Sequence, residues 1–305
     1  GTSTELGNFV YVLDFEPSLT TFADPVTGSA MPTTSGGNVI KKIAITADTS
    51  SDIPNGVTAN MSVVTSDAAS TADYYGGIAY FPDLTGQVWK LNMSKKNLGD
   101  LNSSMWELNL SFKAEGTLAN DRYGYNQMAT TLVESTDPID GGIHVFNYFG
   151  TGDQAHIQRR DATIRNRLYG LKDSDFPGTS LDITGTSKTI SSDEFLDIGG
   201  SVLCSTTAVP AWWTDAQDKS TLPDGNIGLK VVGRALVTSN DVYFTLYRPE
   251  NLACPIGGSG QVIKMVNGCA SPTVTIATGE GLSTAPVMDS SGNIYVGVSN
   301  LATAG

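Results

Sequence analysis

Few residues in this chain have a type and spacing that could do chemistry. His144 and His156 are the only histidines and stand twelve positions apart. Neither has a second ligand at metal-site spacing. A serine–histidine–aspartate relay would also need a Gly-x-Ser-x-Gly turn, which is absent. His144 falls in the middle of an expected strand and should pack in a sheet; His156 falls in a loop and should be exposed. Gly150-Thr151-Gly152 follows a strand, as a phosphate loop would, but the Walker spacing and its lysine are missing. Arg159, Arg160, Arg165 and Arg167 form the one basic cluster. They read either as a salt-bridged surface loop on an acidic protein or as a contact for an acidic partner or glycan. Trp212-Trp213 could stack on sugars, although neighbouring strand residues face opposite sides, which sends at least one ring into a core.

The three cysteines carry no metal motif, because none has a second Cys or a His at ligand spacing. Cys254 and Cys269 lie fifteen apart around a Gly-rich loop and a strand. A disulfide between them would stabilise the fold by about 3 kcal/mol. Cys204 is left over, either as a buried thiol or as the partner of a segment outside this chain.

Composition narrows the class. The 305 residues are 40% hydrophobic and 16% charged, enough apolar material for a sizeable core. The net charge of −13 would repel both nucleic acid and an anionic membrane. No apolar run approaches the roughly 18 residues that span a bilayer. Abundant Ser, Thr, Gly and Asn with scarce Lys fit an extracellular β-protein. The chain starts at Gly1 without Met or a leader, and so reads as a mature piece or an excised fragment.

The elements that must position these residues are short strands. Asn8 to Asp14 forms one, and Val39 to Thr46 another, whose Lys41-Lys42 pair marks an edge or exposed face. Met61 to Val64 is a candidate strand. Ile78 to Phe81, the turn Asp83-Leu84-Thr85-Gly86 and Gln87 to Asn92 form a hairpin, with Gly86 supplying a positive φ. In its second strand Val88, Lys90 and Asn92 alternate with Trp89 and Leu91, as do Trp106, Leu108 and Leu110 with their polar neighbours. Gly124 to Ser135 is either strand or short helix. Gly141 to Asp153 is a strand running into a Gly-rich turn. Residues 172–228 read as a long insertion containing the possible strands Ser180 to Thr184 and Ser201 to Ser205. Three strands follow between Leu229 and Cys269, and Asp289-Ser290-Ser291-Gly292 turns the final hairpin. Strand clusters near residues 12, 79, 145, 243 and 295 recur too unevenly for a WD repeat. The fold class expected is all-β: one domain over 1–305, or the carboxy-terminal part of one.

Four stretches carry a family resemblance. The first is Gly233-Arg234, then VYFTLYRP, Cys254, Gly257-Gly258 and a QVIKM strand. The second is DLTGQVWKL from Asp83. The third runs from Phe149-Gly-Thr-Gly to Tyr169-Gly170-Leu171 and Asp173. The last is Pro286 with the Gly292 to Val296 strand. Together they resemble the carboxy-terminal β-propeller of the PilC/PilY family, large secreted proteins associated with type IV pili. The resemblance implies four to five blades of a larger, roughly seven-bladed propeller, completed by upstream blades or a second polypeptide. It implies a non-enzymatic, extracellular pilus-tip component, with pilins as partners, that supports pilus assembly and presents loops for attachment. The Trp212-Trp213 pair is similar to the aromatic pair that opens the Gly-x-Arg blade. Family members often carry calcium before the second stretch. Here only Asp67 and Asp73 remain as oxygen ligands, and Asp48, Asp52 and Asn55 are no better, too few for an ion that takes six to eight oxygens. No cofactor is therefore expected. Two other readings compete: an extracellular propeller scaffold unrelated to pili, and a propeller enzyme such as a quinone-dependent dehydrogenase or glycosidase.

Overall fold

The computed structural model describes residues 9–14, 38–65, 77–92, 107–135, 142–161, 163–173, 190–191, 196–197, 211–215, 217–218, 227–250, 257–268 and 272–299. Every regular element among them is a strand, and the strands form several sheets built on antiparallel pairs. The first sheet pairs β1 (Phe9–Asp14) with β2 (Asn38–Ala44). The second runs β3 (Ser62–Thr65), β4 (Gly77–Pro82), β5 (Gln87–Asn92) and β6 (Glu107–Lys113) as an antiparallel meander, with β10 (Ile190–Ser191) added in parallel to β6. The third repeats this plan with β7 (Ala129–Ser135), β8 (Gly142–Gly150), β9 (Arg167–Asp173) and β12 (Ala211–Asp215), with β11 (Leu196–Asp197) parallel to β12. β13 (Gln217–Asp218) and β14 (Ile227–Gly228) form a short pair. In the fourth sheet β15 (Lys230–Val231) and β16 (Leu236–Val237) both pair with β17 (Asp241–Pro249). β18 (Gly258–Val266) and β19 (Pro272–Glu280) complete it. A last hairpin pairs β20 (Leu282–Ser283) with β23 (Val298–Ser299), and β21 (Val287–Met288) with β22 (Ile294–Tyr295).

The sheets stack face to face in chain order, and side-chain alternation explains how. Successive residues of a strand point to opposite faces. Ala79 and Phe81 therefore pack toward the first sheet with Val10, Ile45, Trp89 and Leu91. Ile78 and Tyr80 pack toward the third sheet with Val88, Phe112, Phe149 and Tyr169. The third sheet turns its other face, with Phe146, Tyr148 and Leu168, onto Val242, Phe244, Leu246 and Met265 of the fourth. Phe149 and Tyr169 stack at 4.8 Å, and Phe112 of the second sheet meets Tyr169 edge-on at 5.0 Å.

The stacking buries all six residues of β5, polar and apolar alike. The cause is a neighbour on each side of the sheet, so Lys90 needs a partner. It finds Asp173 at 2.7 Å, at the end of β9, where Tyr80 also donates its hydroxyl. Within Gly124 to Ser135 the stretch Ala129–Ser135 is strand, and Lys42 is exposed, its ammonium 3.7 Å from the centre of the Phe9 ring.

Candidate functional site

Turns and connections between strands hold the densest polar chemistry among the described residues. The Asp83 turn comes first. Its carboxylate accepts Thr85 Oγ1 at 2.6 Å, the Gln87 amide at 3.0 Å, Gln87 Nε2 at 2.8 Å and the Trp89 indole N–H at 2.9 Å. Burial pushes its pKa up, although these four donors pull the other way. Gly86 takes φ +76°, which a residue with a Cβ rarely adopts. The Asp289 turn is built to the same plan. Asp289 accepts the Ser291 and Asn293 amides at 2.9 Å each, Asn293 Nδ2 at 2.9 Å and the Tyr295 hydroxyl at 3.1 Å, and Gly292 takes φ +86°. Asp83-x-Thr-Gly-Gln-x-Trp and Asp289-x-Ser-Gly-Asn-x-Tyr are therefore one repeated turn, in which the carboxylate ties the i+4 and i+6 residues. Comparing the two turns position by position in the sequence would have found it.

The connections β6–β7 and β8–β9 then meet the start of β15. Gly152 donates its amide to Tyr123 O at 3.1 Å, and Val231 donates to Thr151 O at 3.1 Å. At the junction Lys230 Nζ donates to Asp121 Oδ2 at 2.6 Å and to the carbonyls of His156 at 3.1 Å and Asp153 at 3.3 Å. Both Lys230 and Asp121 are wholly buried. Asp121 sits at φ +65°, a left-handed conformation that Asp tolerates better than most residues. Asp153 accepts the Ala155 and His156 amides at 2.9 and 3.1 Å and lies 2.7 Å from His156 Nδ1. Burial raises the Asp153 pKa, but the His156 hydrogen bonds and the Lys230 charge outweigh it and hold the group below the usual carboxylate range. Tyr125 is pushed up to about 12 by burial and by the charge of Asp153. Every charge in this cluster has an internal partner. As chemistry, it locks three chain segments together. Among the described residues no group of three His, Cys, Asp or Glu side chains could hold a metal ion.

The arginine cluster belongs to the same junction. Arg159 Nη1 donates to Leu118 O at 2.7 Å and lies 3.6 Å from Asp121 Oδ1. The Arg165 amide donates to Asn120 O at 2.9 Å, and the Arg167 amide to Thr151 Oγ1 at 3.0 Å. Arg159, Arg160, Arg165 and Arg167 are all half-buried. The Arg159 side chain and the Arg165 amide tie the β8–β9 connection to the β6–β7 connection. Trp212 and Trp213 lie on β12, in register with Gly170 and Tyr169 of β9. His144 is buried in β8, and the His156 side chain is 74% exposed. Cys204, Cys254, Cys269, Asp67 and Asp73 lie outside the described residues.

Lys230 and Asp121 were missed in the sequence. The signal was there in LKVV: a single lysine within an apolar strand segment implies a buried partner. No signal pointed to Asp121 as that partner, which is 109 positions away.

No family model, curated protein or solved structure matches this chain. What the structure defines is a class: an all-β protein of several stacked antiparallel sheets, with no helix among the described residues long and apolar enough to cross a membrane.

Proposed function

We propose that the stacked sheets are blades of a β-propeller, and that the protein is a non-enzymatic extracellular component of a type IV pilus of the PilC/PilY kind. The observation that carries the ring reading is the repeated meander. Sheets two and three each bury both faces against their chain neighbours. Their first strands also lie side by side, β3 beside β7, and β7 lies beside β16 of the fourth sheet. The Ser62 hydroxyl donates to Met128 O, and Gln127 Nε2 donates to Met61 O at 3.1 Å, tying successive first strands together. Sheets arranged about their first strands are how blades surround an axis.

The pilus assignment rests on the four stretches of sequence resemblance. The Asp83–Trp89 pair supports it by giving the Asp-Leu-x-Gly-x-x-Trp stretch a physical role. On this reading the sheets are a rigid support, and the segments between them present recognition surfaces. Trp212 and Trp213 remain candidate contacts, as do Arg160, Arg165 and Arg167. Arg159, which also reaches Asp121, stays among them. The test is affinity purification of the tagged protein from piliated cells under mild shear. Pilins in the eluate, and loss of piliation on deletion, support the reading. A different envelope complex in the eluate, with piliation intact, favours the unrelated scaffold. Stoichiometric quinone or metal with turnover would favour the enzyme.

A further inference from the structure

Lys90 and Asp173 meet across the apolar contact between the second and third sheets. Alternation puts Lys90 on the face of β5 that carries Val88, and Asp173 on the face of β9 that carries Tyr169 and Leu171. Val88, Tyr169 and Leu171 belong to one buried cluster with Ile78, Phe112 and Val145. The Lys90 side chain is 2% exposed and that of Asp173 10%. Tyr80 is in register with Lys90 on the neighbouring strand β4, and its hydroxyl donates to Asp173 Oδ2.

Lys90 and Lys230 are the buried lysines among the described residues, and they are held differently. Lys230 Nζ has three acceptors, the Asp121 carboxylate and the carbonyls of Asp153 and His156. That is a full set for the three donors of an ammonium. Lys90 Nζ comes within 2.7 Å of Asp173 Oδ2 but makes no hydrogen bond, there or elsewhere. Holding an ammonium in an apolar interface with its protons so placed is costly, and the cost falls away when the pair is neutral. A neutral lysine amine in an apolar pocket is a nucleophile.

We propose that Lys90 and Asp173 condense into an amide, a covalent cross-link between β5 and β9 that the folded chain forms by itself. One ammonium proton passes to the carboxylate, and the freed lone pair attacks Cγ to form the C–N bond. A carboxyl C–O bond then breaks. Its oxygen leaves as water, carrying the transferred proton and a second proton from the nitrogen. Nothing is oxidised or reduced, and no co-reactant is consumed. The fold supplies proximity by holding amine and acid in contact. Tyr80 holds Oδ2 and stabilises the negative charge that this oxygen gains in the tetrahedral adduct. The product removes both buried charges and staples sheet two to sheet three. The reaction occurs once per chain and turns over no substrate.

The test is intact-mass spectrometry of the purified chain, reduced and denatured. The expected mass is lower than that of the 32.1 kDa sequence by one water, with a tryptic peptide branched between positions 90 and 173. Lys90→Arg should show its full sequence mass. Tyr80→Phe keeps the ring and should show a smaller linked fraction in protein harvested at equal times. The full sequence mass in the wild type, or a water lost at another position, would overturn the cross-link, and this measurement needs no variant to fold. An unchanged linked fraction in Tyr80→Phe would overturn the role given to Tyr80.

Discussion

Lys230 Nζ lies 2.6 Å from Asp121 Oδ2 across 109 residues of chain, and neither side chain touches solvent. Removing one partner strands the other charge in the interior. Asp121→Ala or Lys230→Met alone should therefore destabilise by about 3–5 kcal/mol. The double variant Asp121→Ala with Lys230→Met should recover much of that loss. Urea unfolding of the four proteins as a double-mutant cycle measures it.

The repeated turn gives a second comparison. Asp83→Ala leaves the Trp89 indole, the Gln87 amide and the Gln87 side chain without their acceptor in a buried setting, a cost of about 3 kcal/mol or more. Asp289→Ala breaks the same pattern in an exposed turn, where water replaces the carboxylate. Its thermal midpoint should stay close to wild type while that of Asp83→Ala falls.

Tyrosines set the alkaline limit. Burial raises the pKa of Tyr123, Tyr125, Tyr148, Tyr169 and Tyr247 above the ordinary 10.0, Tyr125 to about 12. A pKa raised on folding contributes stability that is fully present below pH 10.0 and is lost as pH climbs through the folded values. Melting temperature should hold to about pH 10 and then drop. Tyrosinate absorbance should rise together with unfolding rather than before it.

Acid acts through the opposite sign. Asp153 and Asp48 have folded pKa values below the ordinary 3.8. Their contribution is present above that value and is lost as pH falls through the lower folded ones. Denaturation below about pH 4 should be shallower in Asp153→Asn than in wild type, read by tryptophan fluorescence across an acid titration.

Close approach of backbones gives the last prediction. A Cβ at Gly124 would sit 2.3 Å from the Asp83 carbonyl oxygen, at the contact between the β6–β7 connection and the Asp83 turn. Since backbone is on the far side, nothing soft can yield. Gly124→Ala should cost about 1–3 kcal/mol, visible as a lower urea midpoint at unchanged slope.

Much of the strand framework was legible in the sequence because local chemistry specifies it. β-branched and aromatic runs, with Gly and Asp at turns, marked β1, β4, β5, β8, β17 and β18 close to where they lie. The repeated Asp turn was legible in principle, since all its bonds fall within six residues. The polar junction was not. Asp121, Asp153 and Lys230 come from three segments; LKVV hints at a buried lysine, but nothing local names Asp121 as its partner.

By itself the chain determined its all-β class and its turns, because both follow from steric preferences and hydrogen bonds between near neighbours. Only the tertiary structure decided that both faces of β5 are buried, that Lys90 answers Asp173 and Lys230 answers Asp121, and that Arg159 reaches across to Asp121. Those outcomes depend on which sheet stacks on which. Stacking is driven by non-directional apolar burial summed over whole faces, and no single stretch of residues encodes it.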